Sequence, residues 1–197
     1  QDAVNFEVLS GTQPLLPFYL ATGDFDADGH IDLAIANSAD NKVAVMFNDG
    51  SGAFTETELN HGLFKAVSLA SGDIDNDGDL DLVTLLQDED EVAVLLNDGL
   101  GSFDQSETNG LGGAGNHLAL ALKLGDLDGD GDLDVVTANR STDTISILFN
   151  GTTDGEFDWS DGGTLVYDVG DAPSGLAIAD LDADGDMDIV VADSEDE

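Results

Sequence analysis

The stretch "GDIDNDGDLDLV" at residues 72–83 carries aspartate at every second position from Asp73 to Asp81. Strict alternation of polar and apolar residues normally indicates a half-buried β-strand. Aspartate is depleted in strands, however, and like charges on one face of a sheet repel one another. The spacing suits a loop around a hard cation instead, because aspartates at loop positions 1, 3 and 5 can converge on one Ca²⁺. The stretch therefore predicts a metal-binding loop that runs into a strand.

The chain contains this loop four times. The other copies are "GDFDADGHIDLAIAN" from Gly23, "GDLDGDGDLDVVTAN" from Gly125 and "ADLDADGDMDIVVAD" from Ala179. The first aspartates of successive copies are 49, 53 and 54 residues apart. A fixed long period of this kind is the signature of a repeat architecture.

Each repeat contains four short apolar or β-branched runs separated by turn residues, and no segment has helical periodicity. This pattern predicts an all-β fold, a β-propeller of four-stranded antiparallel blades with the metal loop between the first two strands of each blade. A phenylalanine (Phe54, Phe103 and Phe157) is expected to head each outer strand. We expect a single propeller, or propeller segment, over 1–197, with 1–17 as a final-strand segment. The predicted repeats are 18–62, 63–116, 117–170 and a partial 171–197.

With the strands of a blade named A to D, the chain reads D, ABCD, ABCD, ABCD, AB, so it holds three and a half to four blades. The missing element is strand C of the last blade. An unpaired strand edge promotes aggregation, so something is expected to cover it. Three outcomes are open: the chain is a fragment of a longer propeller, a strand of a neighbouring molecule fills the gap, or the blades form an open arc that assembles with others.

The ligands of one Ca²⁺ per loop are predicted to be the aspartates at positions 1, 3, 5 and 9 and the backbone carbonyl at position 7. Glycine at position 6 permits the sharp turn between them. Magnesium is disfavoured because it keeps its waters and is rarely held by protein ligands alone. The four sets are Asp24, Asp26, Asp28, His30 and Asp32; Asp73, Asp75, Asp77, Asp79 and Asp81; Asp126, Asp128, Asp130, Asp132 and Asp134; and Asp180, Asp182, Asp184, Asp186 and Asp188.

The loops and the turns that follow strand C resemble the FG-GAP/VCBS repeats of integrin α-subunit propellers and bacterial surface proteins. The turns are Asn48-Asp49-Gly50 with Gly52, and Asn97-Asp98-Gly99 with Gly101. The resemblance covers nearly the whole chain and implies a calcium-binding propeller. It departs at the ends, because propellers of the family typically have seven blades.

The charge is strongly acidic, with 43 acidic residues against 4 basic ones and a net charge of −39. Nucleic acid is excluded as a partner because phosphates repel this surface. No apolar run is long enough for membrane insertion. Four bound Ca²⁺ would offset only a small part of the charge. We therefore expect a secreted or cell-surface protein in a saline setting, where salt screens the self-repulsion. An ordinary acidic surface protein is the alternative.

Catalytic motifs are lacking, and the three histidines (His30, His61 and His117) fall in separate loops without a partner cysteine. The protein is therefore expected not to be an enzyme. Trp159 is either a carbohydrate-stacking platform or, more simply, an edge-packing residue of the outer strand. Asn139 and Asn150 begin glycosylation sequons in predicted turns.

The leading hypothesis is a calcium-stabilised, non-catalytic propeller module for adhesion, assembly or scaffolding. Its expected partners are other protein chains, including copies of itself by strand complementation, or surface glycans. The alternative hypothesis is an accessory or partial propeller of a larger polysaccharide-acting enzyme. A soluble calcium sensor is disfavoured, because the sequence predicts no helix pair that could open on binding.

Overall fold

A computed structural model describes residues 17–38, 41–59, 65–113, 117–152, 157–159 and 163–194. Every regular element among these residues is a β-strand, as the repeat pattern predicts. The strands are β1 (Pro17–Gly23), β2 (Asp32–Asn37), β3 (Lys42–Asn48), β4 (Phe54–Leu59), β5 (Ala66–Gly72), β6 (Asp81–Leu86), β7 (Glu91–Asn97), β8 (Phe103–Gly110), β9 (Ala119–Gly125), β10 (Asp134–Asn139), β11 (Thr144–Leu148), β12 (Thr164–Asp168), β13 (Pro173–Ala179) and β14 (Asp188–Asp193).

The strands form three four-stranded sheets, β1–β4, β5–β8 and β9–β12, and a two-stranded sheet of β13 and β14. Neighbouring strands are antiparallel and consecutive in the chain, so each sheet is a simple meander. The three and a half blades expected from the sequence are therefore confirmed.

The blades pack face to face, and their first strands lie side by side. Ser71 Oγ in β5 donates a hydrogen bond to the carbonyl of Thr22 in β1, at 3.1 Å. One apolar cluster joins the first and second blades, another the second and third, and a third cluster the third and fourth. Sheets arranged radially about their first strands make a β-propeller.

A second set of contacts joins the blades on the side away from the acidic loops. The turn between the second and third strands places a carboxylate or amide oxygen against the next blade. Asn41 Oδ1 accepts the Lys65 N–H, Asp90 Oδ1 the His117 N–H and Asp143 Oδ1 the Ala172 N–H, each at 2.9 Å.

The second strand of a blade is more buried when the blade lies between two others than when it is the last blade of the chain. All six residues of β6 and of β10 are buried, because each of these strands has neighbours within its blade and on both of its faces. The same strand of the last blade, β14, alternates between exposed and half-buried residues. Its Val190 is 43% exposed. Among the described residues, no strand other than β13 pairs with β14.

The outer strands differ from expectation in the third blade. Phe54 and Phe103 begin β4 and β8, but Phe157 does not head β12, which starts at Thr164. The third blade has a longer connection there, so this prediction was wrong. The predicted N-terminal final strand falls almost entirely on residues 1–16, outside the described residues.

Within the described ranges, there is no helix of the length and apolar character that a membrane crossing requires.

Candidate metal centres

The aspartate at position 9 anchors each acidic loop, and it is the first residue of the strand that follows. In the second blade both oxygens of Asp81 accept backbone N–H groups, Oδ2 from Ile74 and Oδ1 from Asn97, each at 2.8 Å. Asp32 and Asp134 make the same pair of bonds in blades one and three. This carboxylate therefore joins the start of the loop to the end of the third strand.

The aspartate at position 1 closes the loop. Asp73 Oδ2 accepts the N–H of Gly78 at 3.1 Å, and the corresponding bond recurs in all four loops. Gly78, at position 6, has a φ of 99°, a backbone conformation that other residues rarely adopt. The sharp turn brings the two ends of the loop together.

The aspartates at positions 1, 3 and 9 converge in every loop. In each group one carboxylate oxygen per residue lies within 4.8 Å of the others, a spacing at which one metal ion could contact all three. The groups are Asp24, Asp26 and Asp32; Asp73, Asp75 and Asp81; Asp126, Asp128 and Asp134; and Asp180, Asp182 and Asp188.

The residues at positions 5 and 7 lie outside these groups, so their roles as ligands stay predictions. Each position 5 aspartate (Asp28, Asp77, Asp130 or Asp184) accepts the backbone N–H of position 7 through Oδ1, at 2.8–3.0 Å. At position 7, the Asp132 side chain accepts a hydrogen bond from Asn76 Nδ2 of the preceding blade, at 2.5 Å. The side chains of His30 and Asp79 lie against Gly50 and Gly99, and Asp186 is exposed.

The first two centres contain buried oxygens that no protein donor satisfies. Asp26 Oδ1 and Asp73 Oδ1 are both buried and have no hydrogen-bond partner. A buried acceptor without a partner is costly, and the cost is greater for a charged group. A cation at the centre of the group would satisfy these oxygens.

Burial raises the pKa of Asp81 to about 7 and that of Asp134 to about 6. Burial, with repulsion from neighbouring aspartates, also raises the pKa of Asp26 and of Asp75. At these four aspartates the folded protein therefore resists ionisation unless positive charge is present.

This resistance predicts that the metal-free protein loses stability as the pH rises from 4 to about 7. A carboxyl whose pKa is higher in the folded than in the unfolded state favours folding below the unfolded pKa, and this contribution disappears as the pH passes the folded pKa. Denaturant unfolding of the calcium-stripped protein, in about 1 M salt to screen surface repulsion, measures the slope. Asp81→Asn should make the fall shallower, whereas an unchanged slope in that variant would contradict the assignment.

Two features of the centres were missed by sequence reasoning. An apolar residue at position 2 is the first: Phe25 and Ile74 are completely buried between blades, and Phe25 packs edge-on against Phe103 at 5.8 Å. The second is an asparagine that recurs 24 residues after the first aspartate, Asn48, Asn97 or Asn150. Both recur at fixed places in the repeat, and that recurrence was the available signal.

Other candidate residues are placed away from any surface site. Trp159 is 6% exposed and packs edge-on against Phe157, so it is neither a sugar platform nor part of outer strand β12. The side chains of Asn139 and Asn150 are buried and hydrogen-bonded, which makes both sequons inaccessible in the folded protein. His117 is buried with Nδ1 at 3.6 Å from Asp90, and His61 lies outside the described residues.

Solved structures of similar fold cover most of the chain at low sequence identity. A virginiamycin B lyase from Staphylococcus aureus is 14% identical over 90% of this chain and 55% of its own, with a TM-score of 0.57. A protein from Lactobacillus plantarum is 15% identical over 87% and 47%, with a TM-score of 0.57. An Agrocybe aegerita lectin specific for non-reducing terminal N-acetylglucosamine is 21% identical over 86% and 45%, with a TM-score of 0.53. The chain thus spans about half the length of these proteins.

Curated protein sequences gave no match to this chain. The family model described as FG-GAP-like repeat matches three times, over residues 24–84, 73–137 and 126–191. Each match begins at the first aspartate of one acidic loop and extends past position 9 of the next, so together they include all four loops. The chain therefore belongs to the FG-GAP-like repeat family.

Proposed function

We propose that the protein is a calcium-binding, non-catalytic β-propeller module of the extracellular space, which serves adhesion, assembly or scaffolding. The observation that carries the proposal is the convergence of three carboxylates in every loop, with unsatisfied buried oxygens in the first two. The basic residues in the ion pairs, Lys42, Lys65 and His117, contact carboxylates outside the loops. A cation supplies the positive charge that the loops need.

Calcium fits the donor set better than other metals. Every side-chain ligand is a carboxylate, and hard oxygen ligands select Ca²⁺, Mg²⁺ or Mn²⁺ over zinc or copper. Calcium also accepts six to eight ligands in a flexible geometry, which matches a loop with several carboxylates and a carbonyl. Magnesium demands a strict octahedron and retains its waters.

Calcium titration followed by calorimetry and native mass spectrometry tests the proposal. We expect three tightly bound ions and a weaker fourth, because Asp180, Asp182 and Asp188 are all exposed. The double variant Asp24→Asn/Asp26→Asn should lose one ion. The matched control Asp168→Asn/Asp171→Asn removes the same charge outside the loops and should lose none. Absence of calcium binding at millimolar concentrations would refute the proposal.

The surplus of acid supports a saline setting. Acidic residues outnumber basic ones by 43 to 4, and the loops account for only part of the excess. Salt shortens the range of repulsion between surface charges to about 8 Å at physiological ionic strength and to about 3 Å at 1 M. A surface of this charge remains soluble in salt and is destabilised when salt is removed.

The proposed partner surface is the edge of β14 that pairs with no other strand among the described residues. Its proposed partner is an apolar β-strand that would take the place of a third strand. In the first three blades that strand is β3, β7 or β11, and all five residues of β11 are buried. Asp188 Oδ2 accepts the Leu181 N–H at 2.9 Å. In the other blades Oδ1 of the corresponding aspartate accepts an N–H from the end of the third strand or just beyond it, and an added strand would supply that N–H to Asp188. Burial of Trp159 favours a protein strand over a glycan, because the aromatic platform is inaccessible.

A synthetic peptide of residues 91–98, which contains β7, tests this surface. We expect it to bind with protection of the β14 amides from hydrogen exchange, whereas a scrambled peptide should not bind. Light scattering at rising protein concentration would show whether a second copy of the chain fills the edge instead. A monomer that binds no peptide would contradict the partner proposal and leave calcium binding intact. The alternative, an accessory propeller of a polysaccharide-acting enzyme, would be supported by a catalytic domain elsewhere in the same gene product.

A further inference from the structure

Three asparagines each contact the acidic loop of their own blade: Asn48 and Asn97, the last residues of β3 and β7, and Asn150, two residues after the end of β11. Their backbone N–H groups donate to Oδ1 of the position 9 aspartate, at 2.8, 2.8 and 2.9 Å. Their side-chain Nδ2 groups donate to the carbonyl of position 8, at 3.2, 3.1 and 3.4 Å. Each asparagine therefore holds the end of its own loop.

Two of these asparagines also contact the loop of the preceding blade. Asn97 Nδ2 donates to the carbonyl of Phe25 at 2.9 Å, and Asn150 Nδ2 donates to the carbonyl of Ile74 at 2.7 Å. Thr152 Oγ1 adds a second bond to the Ile74 carbonyl, at 3.1 Å. Phe25 and Ile74 occupy position 2 of their loops, so each bond crosses from one candidate metal centre to the next.

Phe25 and Ile74 are also bonded to their own centres, through their backbone N–H groups. The Phe25 N–H donates to Asp32 Oδ2, and the Ile74 N–H donates to Asp81 Oδ2, both at 2.8 Å. A continuous chain of buried hydrogen bonds therefore joins the first three centres. It runs through Asp32, Phe25, Asn97, Asp81, Ile74, Asn150 and Asp134.

We propose that Asn97 and Asn150 couple cation binding in neighbouring blades, so that the first three centres fill cooperatively. The inference rests on the proposed calcium binding. Without an ion, mutual repulsion of the carboxylates loosens a loop. An ion orders the position 2 peptide, whose carbonyl then fixes the asparagine of the next blade and directs its backbone N–H at the next position 9 carboxylate. The first ion therefore bears part of the entropic cost of ordering the neighbouring loop. The second ion then binds with a smaller cost, which gives positive cooperativity.

Asn97 acts here as a positioning residue, and the chain contains its matched control. Asn48 has the same place in the first blade, and its described side-chain donor bond goes to Ile31 of its own loop. Both Asn97→Ala and Asn48→Ala retain the backbone N–H that meets the position 9 carboxylate. Only Asn97→Ala removes a bond between blades.

The experiment measures hydrogen exchange of residues 24–32 as a function of free calcium, in about 1 M salt so that ion–ion repulsion is screened. The second centre is disabled by Asp73→Asn/Asp75→Asn, which keeps Asp81 and its hydrogen bonds. In the otherwise natural chain, we expect this change to raise the calcium concentration at which residues 24–32 are half protected by at least about fivefold. A fivefold change is the lower end of the usual range for coupling between two sites. In the Asn97→Ala background the shift should fall below about twofold, and in the Asn48→Ala background it should persist.

A variant-free measurement covers the case in which Asn97→Ala fails to fold. In the natural chain, loops one to three should gain protection over one calcium range with a Hill coefficient above 1, and loop four should have its own midpoint. Separate midpoints with a Hill coefficient of 1, or an equal shift with and without Asn97, would overturn the coupling. Calcium binding would still stand in that case, whereas a lack of calcium-dependent protection in every loop would refute the proposed function itself.

Discussion

Excess chelator is expected to lower the melting temperature of this protein by roughly 15–30 °C. An ion that binds only the folded state stabilises it by about 2.7 kcal/mol per site at a hundredfold excess over its dissociation constant. In three centres, those of Asp32, Asp81 and Asp134, the position 9 aspartate accepts both of its backbone hydrogen bonds. Together, these three centres would contribute about 8 kcal/mol. For a chain of 197 residues, each kcal/mol changes the melting temperature by about 2–4 °C.

The effect should come from the loops and not from general screening by a divalent ion. Magnesium at the same ionic strength should restore little of the lost stability, because it does not suit the site. Asp73→Asn/Asp75→Asn should reduce the difference between the calcium and chelator curves, while Asp168→Asn/Asp171→Asn should leave it unchanged. A melting curve that does not move in excess chelator would contradict the role of the ion.

The blades and loops were predictable because their signals are local and repeated. "GDIDNDGDLDLV" alternates like a strand, yet β6 begins only at Asp81, the last aspartate of the pattern. The acidic positions before it form a turn that Gly78 permits through its positive φ. Four copies in register made the ligand spacing recognisable, and the structure brings positions 1, 3 and 9 together in each.

The contacts between blades were not predictable from one repeat considered alone. In the sequence, Asn97 belongs to an Asn-Asp-Gly turn. Its hydrogen bond to Phe25 joins residues 72 positions apart, which the turn pattern does not indicate. Trp159 was expected to be an edge-packing residue of the outer strand or a carbohydrate-stacking platform, but it is buried among residues of two blades. Both outcomes depend on how sheets pack against one another, and periodicity within a sheet carries no information on that packing.

Asp81→Ala is expected to lower the free energy of unfolding by about 3–6 kcal/mol in saturating calcium. The carboxylate accepts two backbone N–H groups, and hydrogen bonds to a charged group contribute about 1.5–3 kcal/mol each. Asp81 is also completely buried, so its loss leaves the donors of Ile74 and Asn97 without a partner. Urea unfolding measures the change, with the slope checked for two-state behaviour.

Asp188→Ala is the matched control, because Asp188 has the same place in the fourth loop. It is exposed, and its described hydrogen bond is the single one from Leu181. Its replacement should cost much less than that of Asp81, and equal losses would contradict the anchoring role of position 9.

Both measurements are repeated in chelator at pH 8, where Asp81 is largely ionised. This separates the stability that comes from the hydrogen bonds to the carboxylate from the stability that comes from the bound ion. A loss for Asp81→Ala that persists without calcium would come from the hydrogen bonds that join the loop to β7. A loss that disappears would come from the ion. If the hydrogen-bond chain between blades stabilises the fold, the loss of stability for Asp81→Ala should persist without calcium. The loss for Asp188→Ala should be smaller, because the blade of Asp188 has no third strand among the described residues.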